Sequence, residues 1–98
     1  MTETTITRVT HAVAYAAAIE DGATPSIDLT HADVEVDGEG RELNTAEAGW
    51  DNLGGATAWG TAAADQLLAG SGWVRTGDWT WRSDIAGVQG WDAPVARA

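Results

Sequence analysis

The sequence contains no cysteine, no phenylalanine and no lysine, and each absence limits the chemistry or the packing that the chain can use. Without cysteine, the chain has neither a disulfide framework nor thiol chemistry. Without phenylalanine, other large side chains must build the core, and the six Trp residues are the main candidates. Without lysine, arginine supplies all five basic residues. Together with the abundant alanine and glycine, this composition is typical of a GC-rich genome, such as that of an actinobacterium or its phage.

The chain also lacks long apolar runs and has few aliphatic residues. No run approaches the roughly 20 residues that span a bilayer, and the start MTETTITRV has no signal-peptide pattern. We therefore expect a cytosolic protein without membrane contact. Leu, Ile and Val number only 16 of 98 residues, which at a net charge of −10 is typical of disorder. The Trp residues and the periodic grouping of apolar residues instead favour one small folded domain, residues 1–98.

Nearly all of the negative charge lies in one third of the chain. Residues 20–51 contain ten acidic residues and one arginine, whereas the rest of the chain contains five acidic residues and four arginines. Such a field repels nucleic acid and membranes, which are anionic, and attracts a basic protein surface. A solvated face that keeps the protein soluble is the simpler alternative. The candidate partner-binding residues are Asp28, Asp33, Glu35, Asp37, Glu39 and Glu42.

The first part of the chain is β-rich in its pattern. Residues 4–19 fit either a strand or a helix, and their Thr and β-branched residues favour a strand. Residues 27–36 alternate between apolar and polar, which predicts a strand. Its apolar positions change parity, so we expect a bulge or bend near Thr30 and His31. The stretch DGEGR then predicts a turn.

The main helix is predicted over about residues 45–69. Asn44 and Glu47 fit a capping box, and apolar or small residues recur at helical spacing along one face. Gly54 and Gly55 then mark a kink or a break. After the helix we expect a strand, a turn at Thr76–Asp78, a second strand and a short edge piece that contains Pro94. The expected class is α+β, with the helix packed on an antiparallel sheet in the order β-β-(β)-α-β-β.

The stretch HADVEVDGEGREL fits the beginning of a calcium loop. Asp33, Glu35 and Asp37 occupy its first, third and fifth positions, but Asn44 stands where a bidentate carboxylate is required. A strand explains the same spacing if its acidic residues face water while Val34 and Val36 face inward. These three carboxylates are therefore a weak metal candidate, and no cofactor is expected.

The tryptophans offer a second kind of surface. Trp79 and Trp81 lie about 7 Å apart if they share one strand face, and neighbouring rings of this kind can stack on a sugar. Use in the core is the simpler interpretation, since the chain has no phenylalanine. Trp59 and Trp91 are expected to be the more exposed rings. The possible aromatic anchors are Trp59, Trp79, Trp81 and Trp91.

No pattern for catalysis is present. His11 and His31 lack metal-ligand spacing, and the sequence has neither a nucleophile elbow nor a phosphate-binding glycine loop. We therefore expect no catalytic residue. The leading hypothesis is a non-catalytic protein-interaction module, for example a phage or mobile-element accessory protein that docks on a basic surface. The alternative is a small carbohydrate- or ligand-binding domain that uses exposed Trp, and an enzyme ranks third.

Overall fold

A computed structural model describes residues 3–18, 22–85 and 88–98 of the chain. Its strands and its helix confirm the α+β class, although strands predominate and the helix is short. In order, the elements are β1 (Thr5–Tyr15), β2 (Ser26–Val36), β3 (Glu42–Gly54), α1 (Thr61–Gly70), β4 (Trp73–Arg75), β5 (Thr80–Ile85) and β6 (Val88–Arg97). No helix among these residues is long and apolar enough to cross a membrane.

The strands form one antiparallel sheet in the order β3-β2-β1-β6-β4, and β5 also pairs with β6. Because β1 occupies one edge of β6, both β4 and β5 lie along its other edge. There β4 pairs with the C-terminal end of β6, and β5 pairs with its N-terminal part. The predicted strands on either side of Thr76–Asp78 are thus present, but they pair with β6 instead of with each other.

The predicted helix over residues 45–69 was wrong in its first half. Residues 42–54 form β3 and pair with β2 along its whole length. Asn44 is therefore a strand residue, and α1 begins after Gly60 without a side-chain cap. The Thr, Asn and Asp residues of β3 are poor helix formers, and β2 offers them a long hydrogen-bonding partner. The expected break at Gly54 and Gly55 is where the strand ends.

The strand predicted for residues 4–19 was correct for Thr5–Tyr15, which is β1. Residues 16–18 follow the strand, and Ile19 lies outside the described residues. The expected irregularity near His31 is also present, but the extra residue lies in the neighbouring strand. His31 pairs with Gly49 and Ala32 pairs with Glu47, so Ala48 of β3 is the inserted residue.

The two apolar sets of β2 therefore lie on opposite faces of a regular strand. Ile27 and Leu29 face the helix, where they are buried. Val34 and Val36 lie on the opposite face, here called the open face, because β2 keeps a continuous register with β1. The apolar residues of β2 thus lie on one face in its first half and on the other face in its second half. This change, without a bulge in β2 itself, explains why the apolar positions change parity in the sequence.

The last strand, predicted at an edge because of its proline, lies inside the sheet. β6 pairs with β1 on one side and with β4 and β5 on the other. Pro94 lies at the gap between β4 and β5, where its carbonyl accepts a hydrogen bond from the N–H of Thr76. In an antiparallel strand the N–H and C=O of one residue point to the same side. The N–H that proline lacks would thus point into the gap, so no ladder bond is lost.

The core lies between the helix and the middle of the sheet. The expected Trp-based core was wrong, because all six Trp side chains are half-buried or exposed. Trp73 and Trp79 pack only against the margin of the core. Small side chains on α1 and β1 allow the helix to approach the sheet closely, which leaves no room for an indole at the centre. The buried cluster consists of Ala12, Ala14, Ile27, Leu29, Ala64, Leu68 and Val95.

Candidate functional site

Residues 33–47 form a hairpin, here called the acidic arm. It consists of the C-terminal end of β2, the N-terminal part of β3 and the turn between them. It contains six acidic residues and one arginine. No residue of the arm belongs to the buried cluster, to which β2 contributes Ile27 and Leu29. The molecule is correspondingly elongated, at 54 × 29 × 21 Å. The arm is therefore a charged extension of the sheet and not a part of its core.

Asp37 holds the turn of the arm. Its carboxylate accepts hydrogen bonds from the backbone N–H groups of Glu39 and Arg41, each at 2.9 Å, and from the Arg41 Nε at 2.9 Å. The side chain is only 5 % exposed. These hydrogen bonds keep the pKa of Asp37 below its ordinary value, and the bond from the backbone N–H of Arg41 has the largest effect. Asp37 is thus used to build the turn and is not available to a partner.

The other candidate docking residues divide into engaged and available carboxylates. Asp33 forms an ion pair with Arg8 of β1, with Nε to Oδ1 at 2.7 Å, and the hydrogen bond from Arg8 lowers the pKa of Asp33. Asp28 lies outside the arm and accepts hydrogen bonds from Tyr15 Oη at 2.6 Å and from Asn52 Nδ2 at 2.8 Å. The pKa of Tyr15 is raised, mainly by burial of the side chain and less by its hydrogen bond to Asp28.

The remaining acidic residues of the arm are less constrained by hydrogen bonds and ion pairs, and all of them except the half-buried Glu35 are exposed. Glu39 lies 3.2 Å from the Arg41 guanidinium, and both side chains are exposed. Glu42 accepts a hydrogen bond from the Thr45 hydroxyl. Within the described ranges, Glu35 and Glu47 make no ion pair. Glu47, which the charge pattern did not single out, therefore joins Glu35 and Glu42 as an available carboxylate.

The three weak candidates for a metal site do not converge. Asp33 is paired with Arg8, and Asp37 is enclosed by the turn. Among the residues that the structure describes, no group of three or more His, Asp or Glu side chains is placed to hold a metal ion.

The exposed Trp rings are different ones from those expected. Trp59 and Trp91 are half-buried, whereas Trp50 is 65 % exposed and Trp81 is 48 % exposed. The helix predicted over residues 45–69 includes Trp50, but as a strand residue opposite Thr30 it lies on the open face. The error in the secondary structure thus hid the most exposed ring of the chain.

Trp79 and Trp81 do not form a flat platform. The indole N–H of Trp79 donates to Asp65 of α1 at 3.1 Å, and its ring packs against the core. Trp81 instead packs edge to face on Trp91, with centroids 4.8 Å apart and planes at 70°. Trp81 lies on the helix side of the sheet and Trp50 on the open face, because they align with β1 positions of opposite parity. The two exposed rings therefore cannot share one ligand.

A hydrogen-bonded chain across three strands was not foreseen from the sequence. Thr10 Oγ1 of β1 lies 2.9 Å from His31 Nδ1 of β2, and His31 Nε2 lies 2.9 Å from Asp51 Oδ2 of β3. The order hydroxyl, imidazole, carboxylate is the one that activates a nucleophile. Here, however, Thr10 is buried and the Asp51 carboxylate is 69 % exposed. The arrangement is that of a structural tie where the acidic arm leaves the core.

We expect Thr10→Val to lower the free energy of unfolding by about 1–2 kcal/mol, since it removes a partner of the half-buried His31 ring. The measurement is urea denaturation followed by Trp fluorescence. Thr30→Val is the matched control, because Thr30 is exposed on the neighbouring strand. Equal stability of both variants and the parent protein would show that the chain of bonds carries no stability.

We found no match to this chain among protein-family models, among curated proteins or among solved structures.

Proposed function

We propose that this protein is a non-catalytic protein-interaction module that docks its acidic arm on a basic partner surface. The observation that carries the proposal is the position of the arm, a hairpin with six acidic residues and one arginine that lies outside the core. Carboxylates on an extension can enter a basic groove without disturbing the domain that supports them. Their field also accelerates encounter with an oppositely charged partner.

Apolar side chains near these carboxylates support the same proposal. Leu43 in the arm is 55 % exposed, and Trp50 follows the arm on β3. Charged residues at the rim of an interface mainly set specificity and association rate, whereas buried aromatic anchors supply most of the affinity. We therefore assign steering to Glu42 and Glu47, which share the open face with Trp50, and anchoring to Leu43 and Trp50.

The proposal predicts a partner whose retention depends on salt and on these carboxylates. Immobilised protein should retain the partner from an extract of the source organism at about 50 mM salt and lose most of it at about 500 mM, because screening shortens the range of the attraction. The double variant Glu42→Gln/Glu47→Gln should bind that partner about three- to tenfold more weakly, since exposed ion pairs contribute modestly.

The matched control is Glu3→Gln/Asp78→Asn, which removes the same charge from exposed positions outside the arm. It should bind nearly as well as the parent protein. Equal weakening in both double variants would show that net charge acts without the arm, and a salt-insensitive partner would contradict docking by charge altogether.

The alternative of a sugar- or ligand-binding domain has less support. Its Trp platform would need two rings on one side of the sheet, and Trp50 and Trp81 lie on opposite sides. Catalysis has less support still, since the hydroxyl of the Thr10–His31–Asp51 chain is buried.

A further inference from the structure

The edge of β1 that faces β6 is only partly used. β1 pairs with β2 from Thr5 to Ala14, but it pairs with β6 only from Thr10 to Tyr15. Among the described residues, 5–9 therefore have a sheet partner on one side only, and at Arg8 and Val9 the other backbone edge faces an opening. An unpaired strand edge of this kind is a template on which an extended peptide can add a strand.

The opening is a cleft of about 390 Å³ between residues 8–10 of β1, the C-terminal end of β6 and the ends of β4, here called the strand cleft. It arises because β6 continues beyond its last pair with β1 and there pairs only with β4. Two strands that are neighbours in the middle of the sheet thus separate at one end. The volume lies in the range of ordinary ligand sites, and its open strand edge suits a peptide backbone.

The charge of the strand cleft is opposite to that of the chain as a whole. None of the described residues that line it is Asp or Glu, whereas Arg8 and Arg97 both line it. Arg8 is held by Asp33. The Arg97 guanidinium lies over the Trp73 ring, 4.3 Å from its centroid, and makes no ion pair with another described residue. A guanidinium stacked on an aromatic ring still presents its N–H groups to a carboxylate.

We propose that the strand cleft binds an extended peptide segment that carries an acidic side chain. The peptide backbone pairs with the free edge of residues 5–9, and the carboxylate binds Arg97 on the helix side of the sheet. Alternate side chains of a strand point to opposite faces, so the neighbouring apolar residues of the peptide contact Val9 and Pro94 on the open face. Arg97, which makes no ion pair with another described residue, favours this occupant over a basic peptide. The strand cleft lies on the opposite edge of β1 from the acidic arm, and although Arg8 is paired with Asp33 of the arm, the proposal does not depend on the function of the arm.

The test titrates the full, isotope-labelled chain with acetyl-Thr-Val-Glu-Val-Thr-amide and follows backbone amide shifts by NMR. We expect the shifts to concentrate on residues 5–9 and on Ala96 and Arg97. Replacing the peptide's Glu with Gln should weaken binding about two- to fivefold, as expected for one exposed ion pair. Methylating the peptide's backbone nitrogens should weaken it by a similar factor, because the added strand then loses its donors.

Arg97→Gln should weaken binding of the Glu peptide about two- to fivefold and leave binding of the Gln peptide nearly unchanged, which assigns the carboxylate to this arginine. Arg82→Gln on β5 is the matched control and should change neither. Three results would overturn the proposal: shifts on the outer edge of β3, the same shifts with acetate alone, or shifts of residues 5–9 on concentrating the protein without peptide. They would indicate, respectively, another edge, a simple anion site and a second copy of this chain.

Discussion

Replacement of Gly90 by alanine should lower the free energy of unfolding by about 3 kcal/mol, a large part of the stability of a domain this small. A Cβ at Gly90 would lie 2.6 Å from the carbonyl oxygen of Ala14 and 3.2 Å from the Cα of Tyr15. Both atoms belong to the backbone of β1, so no side-chain rotation relieves the contact. The two strands must separate at this point, which disrupts the pairing of Gly90 with Tyr15 and of the neighbouring residues at the end of the β1–β6 ladder. Urea denaturation followed by far-UV circular dichroism measures the loss.

Gly54→Ala is the matched control for this substitution. Gly54 also lies in a strand, but a Cβ there meets no atom within 4 Å. We expect its free energy of unfolding to stay within about 0.5 kcal/mol of the parent protein, or to rise slightly because alanine restricts the unfolded chain. Similar losses in both variants would show that general intolerance of β-strands to alanine, and not the contact with β1, explains the effect.

Leu68→Ala should have the second large effect, a loss of about 2–5 kcal/mol. Leu68 is 2 % exposed and is the one large side chain that α1 buries fully, beside Ala63 and Ala64. Its removal leaves a cavity between helix and sheet that small neighbours cannot fill. Since a domain of this size loses about 4–8 °C of melting temperature per kcal/mol, thermal unfolding should report the change clearly.

Leu43→Ala is the matched control, because it makes the same substitution at an exposed leucine. Leu43 is 55 % exposed in the acidic arm, so its truncation should change the free energy of unfolding by no more than about 0.5 kcal/mol. If Leu43 anchors a partner, the same variant should still bind that partner more weakly. A loss of stability equal to that of Leu68→Ala would mean that the arm packs on the domain, contrary to its position outside the core.

These substitutions separate the fold from the two proposed surfaces. Gly90 and Leu68 hold the sheet and the helix together, whereas Glu42 and Glu47 are exposed. Arg97 lies at the end of β6. The surfaces also differ in sign, since the arm is acidic and the strand cleft presents arginines. High salt should weaken both interactions, but variants at Glu42 and Arg97 should each affect only one of them.

The sequence by itself determined the features that depend on neighbouring residues. Alternation in residues 27–36 predicted β2, the DGEGR stretch predicted the turn that Asp37 holds, and the clustering of carboxylates predicted the charge of the arm. A strand period or a turn preference acts over a few residues, so it can be read without knowing the partner strand.

Tertiary structure alone decided what depends on pairing between distant segments. Residues 42–54 fit a helical pattern, yet pairing with β2 makes them a strand. Proline favours an edge strand, yet the gap between β4 and β5 allows Pro94 to lie in the middle of the sheet. The Thr10–His31–Asp51 chain and the strand cleft both arise between strands. Both depend on strand register, which decides which residues face each other across two strands. No pattern among neighbouring residues of the sequence encodes this register.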